Sequence, residues 1–294
     1  MDERITGSGQ DHNISPDPPL WREALIVGLS YYGILTAVPY IRGVPQLPGI
    51  MVATVGFLLL SLAVIRTIAR WELRWQTELL VFLLTLGLWY ALILWSDEYA
   101  NIAPFISTMA SLLFLTACAF FGRLLSRIIR DMNMLLPIAV VLILVDIFTV
   151  FYGPTGDALE KAPEVVSSLS VGLPEIGSAA GPEGGKGLAF VATAGLGDFI
   201  FLGLFFAATW RYGLRFNRTF WLIFALMAVT MLAFLALPFL PGVPLLPAIA
   251  IAFIAANVGE FQFSRQEKVY TLVAVLFIGV LVGAYILVKL LLVG

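Results

Sequence analysis

Apolar runs separated by short polar connections fill the chain from about residue 22 to its end. Runs able to cross a hydrocarbon core of about 30 Å lie near 22–41, 47–66, 77–96, 102–122, 133–153, 187–210, 219–238, 244–262 and 269–293. They predict about nine transmembrane helices. No ten-residue alternation of apolar and polar positions marks a barrel, and a spanning segment in lipid has to satisfy its own backbone polar groups. The expected fold is therefore all-α, a polytopic membrane helical bundle. Residues 1–21 contain no such run; MDERITGSGQDHNISPDPP reads as a disordered polar tail, leaving 22–294 as a single membrane domain. The tail is acidic where a cleavable signal peptide is basic, so it is expected to stay on the protein. No internal repeat stands out.

Composition agrees with the pattern. Hydrophobic residues make up 60% and charged residues 12%, with a mean hydropathy of +0.97. The bilayer is the expected partner, and a net charge of −2 gives no reason to expect nucleic acid. The charges are placed asymmetrically. Arg66, Arg70 and Arg74 follow the second run, Arg123, Arg127 and Arg130 the fourth, Arg211, Arg215 and Arg218 the sixth, and Arg265 and Lys268 the eighth. The alternate connections hold Arg42, then Asp97 and Glu98, then a loop with Lys161 and Lys186, then the uncharged FLPGVP. The positive-inside rule predicts a cytoplasmic amino terminus and an external carboxyl terminus. Trp71, Trp75, Trp210, Tyr212 and Trp221 flank the basic connections as interfacial anchors.

Two aspartates interrupt this apolar chain: Asp146 in LLPIAVVLILVDIFTVF and Asp198 in GLAFVATAGLGDFIFLGLFF. An ionisable group at membrane depth is costly, so a pair in consecutive runs marks a functional site. Peptide hydrolysis by a carboxyl pair needs one carboxylate to take a proton from water and one carboxylic acid to polarise the scissile carbonyl. Two close carboxyls sharing one proton meet that need, as in the soluble aspartic proteases that are the standard example. Other chemistries lack parts. The lone histidine, His12, lies in the tail, which excludes serine–histidine catalysis within the membrane and an HExxH zinc site. The lone cysteine, Cys118, excludes an internal disulfide and reads as a small buried residue. No metal or cofactor is expected.

Around the aspartates, Ala194, Gly195 and Gly197 read as small residues beside Asp198 on one helix, admitting a close backbone neighbour. The connection 154–186 between the two helices is unusually long and rich in proline and glycine. Within it, VVSSLSVGL suits a short strand, with a plain flexible loop as the other reading. A strand could hold an unwound substrate helix extended. Pro244 and Pro247 suit a helix start on the outer side, and Asn257 and Glu260 read as interfacial.

These residues carry a resemblance. Asp146, then Gly195-Leu196-Gly197-Asp198, then Pro244-Leu245-Leu246-Pro247 resembles the presenilin and signal peptide peptidase superfamily of intramembrane aspartyl proteases, including its archaeal members. In that family a Tyr-Asp pair lies on one helix, Gly-x-Gly-Asp on the next, and a Pro-Ala-Leu element begins a later helix near the site. The match spans roughly 133–262. Three features depart from it: Val145 replaces the tyrosine, Leu245 replaces the alanine unless Pro247-Ala248-Ile249 is the true element, and Asp146 falls in the fifth run instead of the sixth. The resemblance implies catalytic Asp146 and Asp198, with Gly195, Leu196, Gly197, Pro244, Leu245, Leu246 and Pro247 shaping the site. It also implies transmembrane helical peptides or signal-peptide remnants as substrates, and a prokaryotic cell membrane as the location. The loop between the catalytic helices is expected outside, as in signal peptide peptidases. The competing readings are a proton- or cation-coupled transporter that uses both aspartates, and a catalytically silent relative that binds membrane helices.

Overall fold

The computed structural model describes residues 20–41, 43, 45–96, 103–151, 170–174, 190–236, 245–261 and four single positions beyond 270. Residues 1–19 of the expected tail, all but four positions of the expected ninth helix, the loop segments 152–169 and 175–189, and Pro244 lie outside the described residues. The described chain is mostly helical: α1 (Leu20–Ala37), α2 (Gln46–Ala69), α3 (Trp75–Ser96), α4 (Ala103–Ser126), α5 (Leu135–Phe151), α6 (Leu196–Arg211), α7 (Phe216–Ala236) and α8 (Leu246–Asn257). Five segments, Leu47–Ala69, Trp75–Trp95, Phe105–Ser126, Met132–Thr149 and Phe216–Leu235, are long and apolar enough to cross a membrane. The protein is therefore a multi-pass membrane protein.

Two expected spans differ from their sequence boundaries. The run at 187–210 is not one helix. It begins as strand β2 (Phe190–Gly195), which pairs antiparallel with β1 (Ser170–Pro174), and turns helical only at Leu196. Ser170 pairs with Gly195 and Leu173 with Ala192, and a bulge follows before Pro174, a residue with no N–H to give a ladder. The pattern VATAG mixes β-branched and small residues, and a partner strand supplied by the long connection decides for β. Ala194 and Gly195 thus stand on a strand, not on the helical face of Asp198. The run at 244–262 shrinks to the 12-residue α8, because residues beyond Asn257 leave the helix as a turn.

Packing is closest where side chains are smallest. A Cβ on Gly122 of α4 would overlap the Ile200 carbonyl oxygen and the Leu204 amide of α6, and one on Gly203 of α6 would come within 3.0 Å of the Ala119 Cα. The two backbones touch. Lipid tails are as apolar as leucine, so such close dispersion contact is what holds helices together in a membrane. Cys118 is buried beside this contact, as its size suggested. α6 ends in a Schellman turn, with Leu214 N–H donating to the Thr209 carbonyl at 3.0 Å, Gly213 N–H to that of Trp210 at 3.2 Å, and Gly213 at φ 64°.

Polar ties hold the basic end. Glu78, at the start of α3, is fully buried; its Oε1 accepts from Arg123 Nε at 3.0 Å and its Oε2 from Arg127 Nε at 2.6 Å. Arg123 also donates to the carbonyls of Ile68 and Ala69 in the last turn of α2, where carbonyls run out of helical donors, and to that of Trp71 just beyond it. The hydrogen bond to Glu78 raises the Arg127 guanidinium above its ordinary value, so it stays charged. Asn257, expected at the interface, is instead fully buried. It donates to Thr219 Oγ1 at 2.9 Å and accepts from Arg215 N–H at 3.1 Å, joining α8 to α7. A buried amide needs such partners, and α7 supplies them.

Candidate active site

Asp146 lies late in α5, half-buried, with Thr149 Oγ1 donating to its carbonyl at 3.2 Å. Its side chain reaches another element. Oδ2 accepts the backbone N–H of Leu246, the first residue of α8, at 3.2 Å. The first N–H groups of any helix lack intrahelical acceptors, and Pro247, next in line, has no N–H at all. The proline-bearing start of α8 thus presents the Leu246 N–H as a donor, and the Asp146 carboxyl accepts it.

Asp198 lies in the first turn of α6. Gly195 caps that helix in an extended conformation, φ −76° and ψ 164°, and its N–H donates to Asp198 Oδ2 at 3.0 Å. This is the reciprocal half of a capping box: the third helical residue satisfies the cap's own amide. The strand, the cap and the acid form one unit. Where the chain leaves β2 and enters α6, the geometry that ends the strand also aims the carboxyl.

α8 relates the two acids. It packs extensively on α5 and also touches α6, where Phe253 and Phe205 stack with ring centroids 4.4 Å apart. α8 thus lies against both elements that carry an aspartate, Asp146 on α5 and Asp198 on α6. Of the expected site residues, Leu245 and Leu246 are buried at the start of α8, Leu196 is exposed, and Pro247 is half-buried. Among the described residues, a Cβ on Gly197 would meet nothing within 4 Å, and one on Gly195 would meet Asp198 Oδ2 at 3.7 Å. Among the described residues, no helix approaches these glycines closely, and the space beside Gly197 is open. Val145 is exposed on the outer face of α5.

Two features escaped the side-chain pattern. The Leu246 N–H is a backbone donor, and only the prolines hinted that a helix begins there. Glu78, which nothing in the sequence pattern singles out, is the buried centre of the arginine cluster. Among the described residues no three His, Cys, Asp or Glu side chains group as a metal would require. No family model, curated protein or solved structure matches the chain.

Proposed function

We propose that the protein is an intramembrane aspartyl endopeptidase of the presenilin and signal peptide peptidase kind, with Asp146 and Asp198 as its catalytic pair. The observation that carries this reading is a pair of carboxyls on two elements that α8 packs against, each accepting one backbone N–H. In the reaction one carboxylate removes a proton from water as its oxygen attacks the scissile carbonyl, while the other, protonated, hydrogen-bonds the carbonyl oxygen. The tetrahedral intermediate then collapses, the C–N bond breaks, and the nitrogen leaves with a proton from the pair. The dyad titrates as a unit, so neither aspartate is assigned a fixed role. Cleavage should follow a bell-shaped pH profile, falling at low pH when both carboxyls are protonated and at high pH when both are ionised.

The β1–β2 hairpin supports the same reading. A substrate helix has to unwind before its peptide bond is accessible, and a strand leading directly into Asp198 offers ladder partners to an extended segment. The open space beside Gly197 leaves room for it. In this reading the chain has about nine spans in a prokaryotic cell membrane, its amino terminus is cytoplasmic, and substrates with a cytoplasmic amino terminus are preferred.

The test is cleavage of a model transmembrane peptide in detergent by wild type, Asp146→Ala and Asp198→Ala. Loss of cleavage in both variants is expected, and activity surviving either change refutes the dyad. Proton-driven uptake into vesicles without cleavage would assign the aspartates to transport instead. Preferential cleavage of the reversed substrate orientation would overturn the topology.

A further inference from the structure

Far from the aspartates, at the end of the bundle where α2, α4 and α6 finish and α3 begins, a cavity of about 530 Å³ opens among polar side chains. Its size falls within the roughly 300–1,000 Å³ usual for small-ligand sites. Four arginines line it, Arg74, Arg123, Arg127 and Arg211, against two carboxylates, Glu72 and Glu78, an excess of two positive charges. The four are not equivalent. Arg123 and Arg127 spend their donors on Glu78 and on the carbonyls that end α2. Arg74 donates to no acceptor among the described residues, and Arg211 makes one long bond, 3.2 Å, to the Ser126 carbonyl. Neither is hydrogen-bonded to the exposed Glu72. Trp71, also in the lining, keeps a buried indole N–H with no acceptor. The floor is therefore an ion-pair network, and the rim holds two guanidinium groups, Arg74 and Arg211, with donors to spare.

We propose that this cavity binds a phosphate group, carried by the headgroup of an anionic phospholipid, with Arg74 and Arg211 as its direct contacts. Guanidinium forks match phosphate oxygens in geometry and charge. Interfacial tryptophans and the helix ends put the cavity at headgroup depth, where such phosphates are concentrated. Glu78 holds Arg123 and Arg127 in the floor, which leaves Arg74 and Arg211 as the charges facing the opening.

The experiment uses the full chain purified in a neutral detergent, with native mass spectrometry reading retention of phosphatidylglycerol against phosphatidylcholine, and a parallel titration with inorganic phosphate. Phosphatidylglycerol should bind at least about tenfold more tightly than phosphatidylcholine. Arg74→Gln and Arg211→Gln should each weaken it several-fold and together about tenfold or more, as expected for lost charged hydrogen bonds. Arg218→Gln, exposed at the same end but outside the cavity, should change nothing. Competition by inorganic phosphate would show that the phosphate group suffices, and its failure with the variant effects intact would assign recognition to the lipid as a whole. Equal binding of both lipids, or an equal effect of Arg218→Gln, would reduce the attraction to diffuse surface charge and overturn the site. Both rim arginines are exposed, so unchanged unfolding midpoints are expected for the variants.

Discussion

In the proposed reaction Asp146 has two roles that a single substitution can separate. Its Oδ2 accepts the Leu246 N–H, which an asparagine carbonyl could also do, whereas only a carboxyl can share a proton with Asp198. Asp146→Asn is expected to leave the thermal unfolding midpoint nearly unchanged while lowering cleavage by about 10²–10⁴-fold, the usual contribution of acid–base catalysis. Asp146→Ala should lose both and also unfold earlier, by about 1 kcal/mol for the orphaned amide. Equal stability loss in the two variants would contradict the hydrogen bond. Glu78 presents the structural counterpart. Replacing it with alanine leaves Arg123, only 9% exposed, without its counter-ion, and a buried pair broken on one side costs about 3–5 kcal/mol. Arg127→Gln, at a side chain 41% exposed, should cost no more than about 1 kcal/mol in the same denaturation assay.

Helices α4 and α6 meet backbone to backbone, and this contact is what carries the first turn of α6 to its position. In Gly122→Ala the new methyl group would meet the Ile200 carbonyl and the Leu204 amide, groups that cannot rotate aside. Overpacking of this kind costs about 1–3 kcal/mol, and the relief is a shift of α6 that moves Asp198 with it. Cleavage is therefore expected to fall at temperatures where the variant is still folded, measured on the same preparation as its unfolding curve. An unaffected turnover would mean that α6 does not transmit the displacement. The signal was present in the chain, in Ala119-x-x-Gly122 and Gly203-x-x-x-Ala207, but small residues recur throughout these runs. Nothing local distinguishes the two glycines that touch from Gly28, Gly33 or Gly87, which have open space around them.

The assembled bundle hides its one thiol. Cys118 is 2% exposed beside the α4–α6 contact, so a maleimide should label it only as the helices separate. The labelling midpoint in denaturant is expected to coincide with the loss of helicity, and rapid labelling of the native protein would place the contact elsewhere. Hydropathy alone was enough for the class of the molecule and for most helix positions, because water and lipid impose length and polarity on each segment separately. It singled out the two aspartates as candidates too, since charge in an apolar run is conspicuous wherever it occurs. It misassigned the run at 187–210, since VATAG becomes a strand only when Ser170–Pro174 comes alongside to complete its ladder. It read Asn257 as interfacial, since the partners that bury it belong to α7. Tertiary packing decided that the Asp146 carboxylate meets a backbone amide 100 positions away, and that Glu78 lies inside an arginine cluster. Hydrogen bonds between distant elements depend on where whole helices come to rest, a sum over many weak contacts that no short stretch of residues contains.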